Sequence, residues 1–335
     1  MTWKERRTIT ILSAILAVLS AALLIVLGMK YREARAAEDP DAPVPGYVDT
    51  QSGEFTSLRY SNGAATLSFV QDANGAWIWA DDGAFPLDDT TITTILDTLS
   101  AMTPQQTLTA PESLEEYGLD DPDVSLTAGT ADGKTFTVAF GKTTTDGKSY
   151  YTMLNDDTST IYIFSGELRR LLDAPIYDMM ELPQLPDLNG LDLLSITIQG
   201  HAEKNSTASP VVLAAVRPDG QDEEATWRYD GANVTDDKSV QALLEDLYAL
   251  SVARCVDYRP SEKAASLCGF DAPDAQVSIR YRTGEDAEQT LEFSIGKPLS
   301  DGSGRYGRIG ADPTIYLFST ELLDPLMRIA VNGLE

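Results

Sequence analysis

Few side chains in this 335-residue chain are of types that do chemistry. A Ser-His-Asp nucleophile would have to use His201, the only histidine. It stands in a Gly-rich polar stretch followed by Glu-Lys-Asn-Ser-Thr, and no Gly-x-Ser-x-Gly elbow accompanies it, so it reads as a solvated loop residue. Two Gly-Lys-Thr triplets, at 133–135 and 141–143, invite a phosphate-loop reading. Such a loop needs another glycine five positions ahead of the second, so that backbone amides wrap the phosphates; those positions are Ala128 and Phe136. Both triplets therefore read as turn glycines with solvated lysines. Acidic pairs abound: Asp81-Asp82, Glu115-Glu116, Asp120-Asp121, Asp156-Asp157 and Glu223-Glu224. A glycosidase needs two carboxylates on facing walls of a cleft, and among 52 acidic side chains mere adjacency says little. No acidic run follows the twelve-residue EF-hand pattern. Cys255 and Cys268 lie 13 apart without CxxC or zinc spacing; they are either an extracytoplasmic disulfide or two isolated thiols. The expectation is no catalytic residue, no metal site and no cofactor.

Aromatic residues offer another chemistry, the stacking of a sugar. Trp77 and Trp79 are two apart, as are Trp227 and Tyr229, so each pair shares one face of a strand. Their recurrence at matched places fits core packing as well as a stacking platform. It also directs attention to the elements around them, because the chain can be laid over itself.

After each aromatic pair comes a turn and then a helix. One helix places Ile92, Ile95, Leu96, Leu99 and Met102 on one stripe; the other does so with Val240, Leu243, Leu244, Leu247 and Leu250. Asp88 and Asp236 suit their N-caps. Next come Tyr117-Gly118-Leu119-Asp120-Asp121-Pro122 and Cys268-Gly269-Phe270-Asp271-Ala272-Pro273. Gly118 and Gly269 are placed to end a short helix in the left-handed region, and Pro122 and Pro273 prevent it from resuming. Two strand-like runs follow in each copy, ending at Gly141-Lys142 and Gly296-Lys297. Then come Tyr151 and Tyr306, and a closing strand and helix that begin at Ile161-Tyr162 and Ile315-Tyr316, with Ser165 and Ser319 as N-caps. The predicted unit is β-β-β-α-β-α-β-β-β-β-α. The expected class is α+β: an N-terminal transmembrane helix and two homologous domains, each a mostly antiparallel sheet packed with two or three helices. The expected boundaries are a cytoplasmic tail 1–7, the transmembrane helix 8–29, a juxtamembrane stalk 30–53, repeat 1 over 54–180, a linker 181–192 and repeat 2 over 193–335.

That order of motifs resembles the bacterial DUF4340 family over nearly all of residues 52–330, in two copies. The second copy departs from it, with Cys268 and Phe270 where the first has Tyr117 and Leu119. The resemblance implies an association with gliding-motility-type ABC transporter components. It implies no catalytic residue, since the family has none established.

Residues 8–29 hold no charged side chain, and 22 helical residues reach roughly 33 Å, about the depth of a bilayer's hydrocarbon layer. The run is longer than the apolar region of an ordinary signal peptide, which favours a retained anchor, although Ala34-Arg35-Ala36-Ala37 resembles a cleavage site. Six basic and two acidic residues lie in the first 36 positions, leaving 19 basic against 50 acidic beyond them, a net of −31. Such a surface repels phosphate backbones and excludes nucleic acid as a partner. The short basic tail is expected inside and the acidic bulk outside. The reading is a single-pass protein of the bacterial cytoplasmic membrane, partnered by the bilayer through 8–29 and by an envelope protein. It is noncatalytic, with ABC transporter subunits as the candidate partner. The alternatives are a glycan- or peptide-binding module using a groove between the repeats and, third, an envelope hydrolase.

Overall fold

The computed structural model describes residues 50–201, 209–217, 225–283 and 287–334. The tail, the expected transmembrane helix 8–29 and nearly all of the expected stalk lie outside the described residues. Among the described residues no helix is long and apolar enough to cross a membrane.

Short runs with one apolar face, separated by Gly and Asx turns, fold as antiparallel strands. The first set comprises β1 (Phe55–Asn62), β2 (Thr66–Gln71), β3 (Trp77–Trp79), α1 (Thr90–Ser100), β4 (Gln106–Thr109), a 3-10 turn (Glu115–Tyr117), β5 (Val124–Thr130), β6 (Thr135–Thr143), β7 (Ser149–Leu154), β8 (Thr160–Ser165) and α2 (Glu167–Leu171). The second comprises β9 (Asp192–Gly200), β10 (Val211–Val216), β11 (Thr226–Tyr229), β12 (Ala232–Asn233), α3 (Lys238–Ala249), β13 (Arg254–Asp257), α4 (Glu262–Leu267), β14 (Ala275–Thr283), β15 (Ala287–Pro298), β16 (Gly304–Ile309), β17 (Ile315–Ser319) and α5 (Thr320–Asn332). The sheet orders are β3-β2-β1-β5-β6-β7-β8-β4 and β12-β11-β10-β9-β14-β15-β16-β17-β13.

The α+β expectation is corrected by this architecture. Seventeen strands in two antiparallel sheets dominate, and helices are few among the described residues. Two of the five α-helices, α2 and α4, are only five and six residues long. The second of these is the short helix expected ahead of Gly269, whereas its expected counterpart ahead of Gly118 is a 3-10 turn.

The two sheets repeat one register. Gln71 faces Trp77 in β2–β3, and Ala215 faces Trp227 in β10–β11. Tyr151 faces Ile163, and Tyr306 faces Leu317. Even the irregularities correspond: the β6–β7 ladder slips between Phe140 and Thr143, and the β15–β16 ladder between Ile295 and Pro298. The Gly-Lys pairs fall inside these two bulges.

Each sheet packs one face against helices. Leu58, Tyr60, Leu67, Phe69, Leu126 and Val138 pack on α1 through Ile92, Ile95, Leu96 and Leu99. Ile196, Ile198, Leu213, Val277, Phe293 and Phe318 pack with α3 and α5. Burying one such aliphatic side chain contributes roughly 1.5–3 kcal/mol, so each helical stripe is a substantial anchor. The caps shift by one position. Asp237, not Asp236, accepts from the Ser239 and Val240 amides, while Asp88 accepts from the Thr90 amide next to the N-cap Asp89. Gly166, not Ser165, is the N-cap of α2; Ser319 does occupy the N-cap of α5 but makes no side-chain cap bond.

Candidate functional site

The Gly-x-Asp-x-Pro motif and the Gly-Lys pair meet in space, in both repeats. Gly118 (φ 69°) ends the 3-10 turn, and Gly269 (φ 95°) follows α4. A Cβ on Gly141 would stand 2.2 Å from the Tyr117 carbonyl oxygen, and one on Gly296 would stand 2.2 Å from that of Cys268. A Cβ on Gly118 would stand 3.2 Å from the Lys142 amide nitrogen, and one on Gly269 3.0 Å from that of Lys297. Two backbone segments thus touch with no room for a side chain between them. The lysines close the contact. Lys142 Nζ donates to the Glu115 and Glu116 carbonyls, both at 3.0 Å, and Lys297 Nζ to the Leu267 carbonyl at 3.3 Å. These carbonyls lie at helix ends, where a cation is favoured; that of Glu115 also accepts from the Gly118 amide. Both lysines are exposed, and each is also bound to a helix end, a role that the reading of Lys142 as solvated did not include.

The other signature residues lie around this contact. Leu119, Ala139, Met153 and Ile161 form a small buried cluster on the outer face of the first sheet, flanked by Tyr117 and Tyr151, whose rings meet edge-on at 4.8 Å. In the second repeat Arg308 lies over the Phe270 ring at 4.3 Å. Asp120 and Asp271 are exposed, and Asp271 accepts from the Ser266 hydroxyl. Pro122 and Pro273 are half-buried, as is Tyr306. Tyr162 packs against the first core. Tyr316 is buried in the second, donating to Asp312 at 3.1 Å, and burial beside that carboxylate pushes its phenol up to about 12.

The aromatic residues of β3 and β11 pack inward. Trp227 is buried in the second core, and Tyr229 packs against it. Trp77 packs on the first core, and Trp79, Leu87 and Ile176 pack on both cores at once. Between the repeats sits Phe85, which pattern reading missed. It is 4% exposed and belongs to the second core although it comes from the first repeat. Its ring meets Trp79 at 5.4 Å and Tyr258 at 5.1 Å, both edge-on, and stacks with Tyr177 at 6.4 Å. A polar rim surrounds it: Arg259 to Asp82 at 2.8 Å, Tyr258 Oη to the Ala84 carbonyl at 3.1 Å, and Tyr177 Oη to Asp257 at 3.4 Å. The expected linker also packs, burying Leu188 in the second core.

The remaining chemical candidates stay apart. His201 is exposed, and its backbone amide donates to the Asp274 carbonyl at 3.1 Å. Cys255 and Cys268 are free thiols, and burial pushes that of Cys255 up to about 12. Asp72, Asp132, Asp146, Asp157 and Asp301 sit below the usual carboxylate range because hydroxyls and amides of their own turns donate to them. Among the described residues no group of three or more His, Cys, Asp or Glu side chains is placed to hold a metal ion. A hollow of about 640 Å³ beside Trp227, Leu244 and Tyr248 has Arg217 on its rim, 2.7 Å from Asp192.

No curated protein and no solved structure matches the chain. The family model described as "Domain of unknown function (DUF4340)" matches residues 77–212 and 227–328; the first match runs from β3 through the linker into β10, and the second lies within the second repeat. With more than half of its length covered by the two matches, the chain belongs to the DUF4340 family as a tandem repeat.

Proposed function

We propose that this protein is a noncatalytic, membrane-anchored extracytoplasmic interaction subunit, working with an ABC-type envelope transport system. The observation that carries this reading is the filled junction. Phe85, Trp79, Tyr177 and Tyr258 occupy the place where a ligand groove between the repeats would lie. That favours a rigid scaffold over a binding module built on that groove. The apolar segment 8–29 would insert in the bilayer and hold the acidic bulk outside. The transporter association rests on the resemblance noted above, which is an analogy of family rather than of site.

The test is affinity capture of the full tagged chain from detergent-solubilised native membranes. The reading expects ABC ATPase and permease subunits to be recovered in near-stoichiometric amounts. Recovery of the chain with no transporter protein would overturn the transporter part of it.

A further inference from the structure

Each sheet ends on the same short strand, β4 in the first and β13 in the second. The two edges are finished differently. Residues 176–179 of the first repeat pack along β13, Tyr177 Oη reaches Asp257, and Cys255 is 1% exposed. Beyond β4 no strand pairs among the described residues; Gln106, Thr107 and Thr109 are exposed and Leu108 is half-buried.

The ladder fixes which amides are open. Gln106 faces Ile163, Leu108 faces Ile161, and the Ala110 amide donates to the Ser159 carbonyl. Bonding pairs alternate in an antiparallel ladder, so the amides of Gln106 and Leu108 point to β8 and those of Thr107 and Thr109 point away. Protein edges are ordinarily guarded by shortness, bulges, charge, proline or a covering segment, and β4, at four residues, has the first of these. The strand Gln-Thr-Leu-Thr has neither charge nor proline. Acidic residues border it. Glu112, Glu115 and Glu116 follow it in the chain, and Asp156 and Asp157 lie in the turn whose Ser159 bonds Ala110. The Ser159 hydroxyl and amide hold Asp157 below the usual carboxylate range. The lysine of this region, Lys142, is already committed to the Glu115 and Glu116 carbonyls.

We infer that the β4 edge is a docking strand for an extended, lysine- or arginine-bearing segment of a partner protein, which adds to the first sheet beyond β4. The main-chain bonds of the added strand supply affinity, and the acidic border selects its charge. In the second repeat the same edge is covered by a packed segment of the chain itself. This deepens the interaction-subunit reading and rests on it. Transporter recovery without strand addition would keep the transporter and remove the edge; strand addition without transporter recovery would do the reverse.

The test is residue-resolved hydrogen exchange on the full chain in detergent micelles. Two synthetic hexapeptides serve as probes, Lys-Thr-Val-Thr-Val-Lys and Glu-Thr-Val-Thr-Val-Glu, each blocked at both ends. The lysine peptide is expected to slow exchange at the Thr107 and Thr109 amides about tenfold or more, and the glutamate peptide to leave them unchanged. Thr107→Pro removes one outward amide and no ladder bond, and should abolish the effect at Thr109. Thr107→Lys keeps the whole ladder and should weaken the lysine peptide about tenfold. The inference is overturned if neither peptide slows these amides at millimolar concentration or if both do so equally. It is also overturned if both variants bind as the parent does, or if the two amides are already protected before any peptide is added.

Discussion

A single methyl group probes the contact that recurs in the two repeats. At Gly141 a Cβ would fall 2.2 Å from the Tyr117 carbonyl oxygen, and the obstacle is backbone, which does not swing aside. Gly141→Ala should therefore cost more than about 2 kcal/mol in urea unfolding, and Gly296→Ala should match it. Gly118→Ala should cost about 1–2 kcal/mol, since alanine must take the left-handed conformation there. Unequal losses at Gly141 and Gly296 would contradict the equivalence. Cys255 gives a pH test. Its thiol is pushed up to about 12 by burial, so the folded state keeps its proton longer than the unfolded state does. That contribution is complete below about pH 9 and is lost as pH rises toward about 12. In the native state at pH 8, iodoacetamide should modify the half-buried Cys268 and spare Cys255 until the chain is unfolded. Rapid alkylation of both thiols would contradict that burial.

At the scale of elements, the repeat was legible where side chains announce their own packing. The stripes of α1 and α3 read directly, because Ile92 to Met102 and Val240 to Leu250 must face a core wherever that core is. The caps read less well, since Asp88-Asp89 and Asp236-Asp237 each offer two carboxylates and local geometry chooses between them. Lys142 and Lys297 escaped because their partners are carbonyls brought near only by the sheet; in the chain Lys142 is 26 residues from Glu116. Lys142→Met keeps the stem and loses two bonds to helix-end carbonyls. It should cost about 0.5–1.5 kcal/mol, with the loss read as a lower urea midpoint and an unchanged slope. An unchanged midpoint would return Lys142 to the role of a solvated surface charge.

For the whole molecule, the tandem organisation was readable from recurrence, whereas the weight of helix against strand was not. Stop signals mark where a helix must end, but they do not tell that the segment ahead of Gly118 closes as a 3-10 turn while α4 ahead of Gly269 forms a helix of six residues. Phe85 was hidden for a different reason. It lies in the turn 80–87, which is longer than the matching turn of the second repeat, so it has no counterpart to reveal it. That residue nevertheless joins two sheets of closely similar order into one body, by filling the second core from the first repeat. Phe85→Ala would leave a cavity costing about 3–5 kcal/mol and remove the ring that Trp79, Tyr177 and Tyr258 share. The most direct measurement is differential scanning calorimetry of the full chain and of Phe85→Ala. The account predicts one cooperative transition for the parent, with both repeats melting together, and two separated transitions for the variant. Two independent transitions in the parent, with the variant unchanged from it, would contradict a scaffold built by filling the junction.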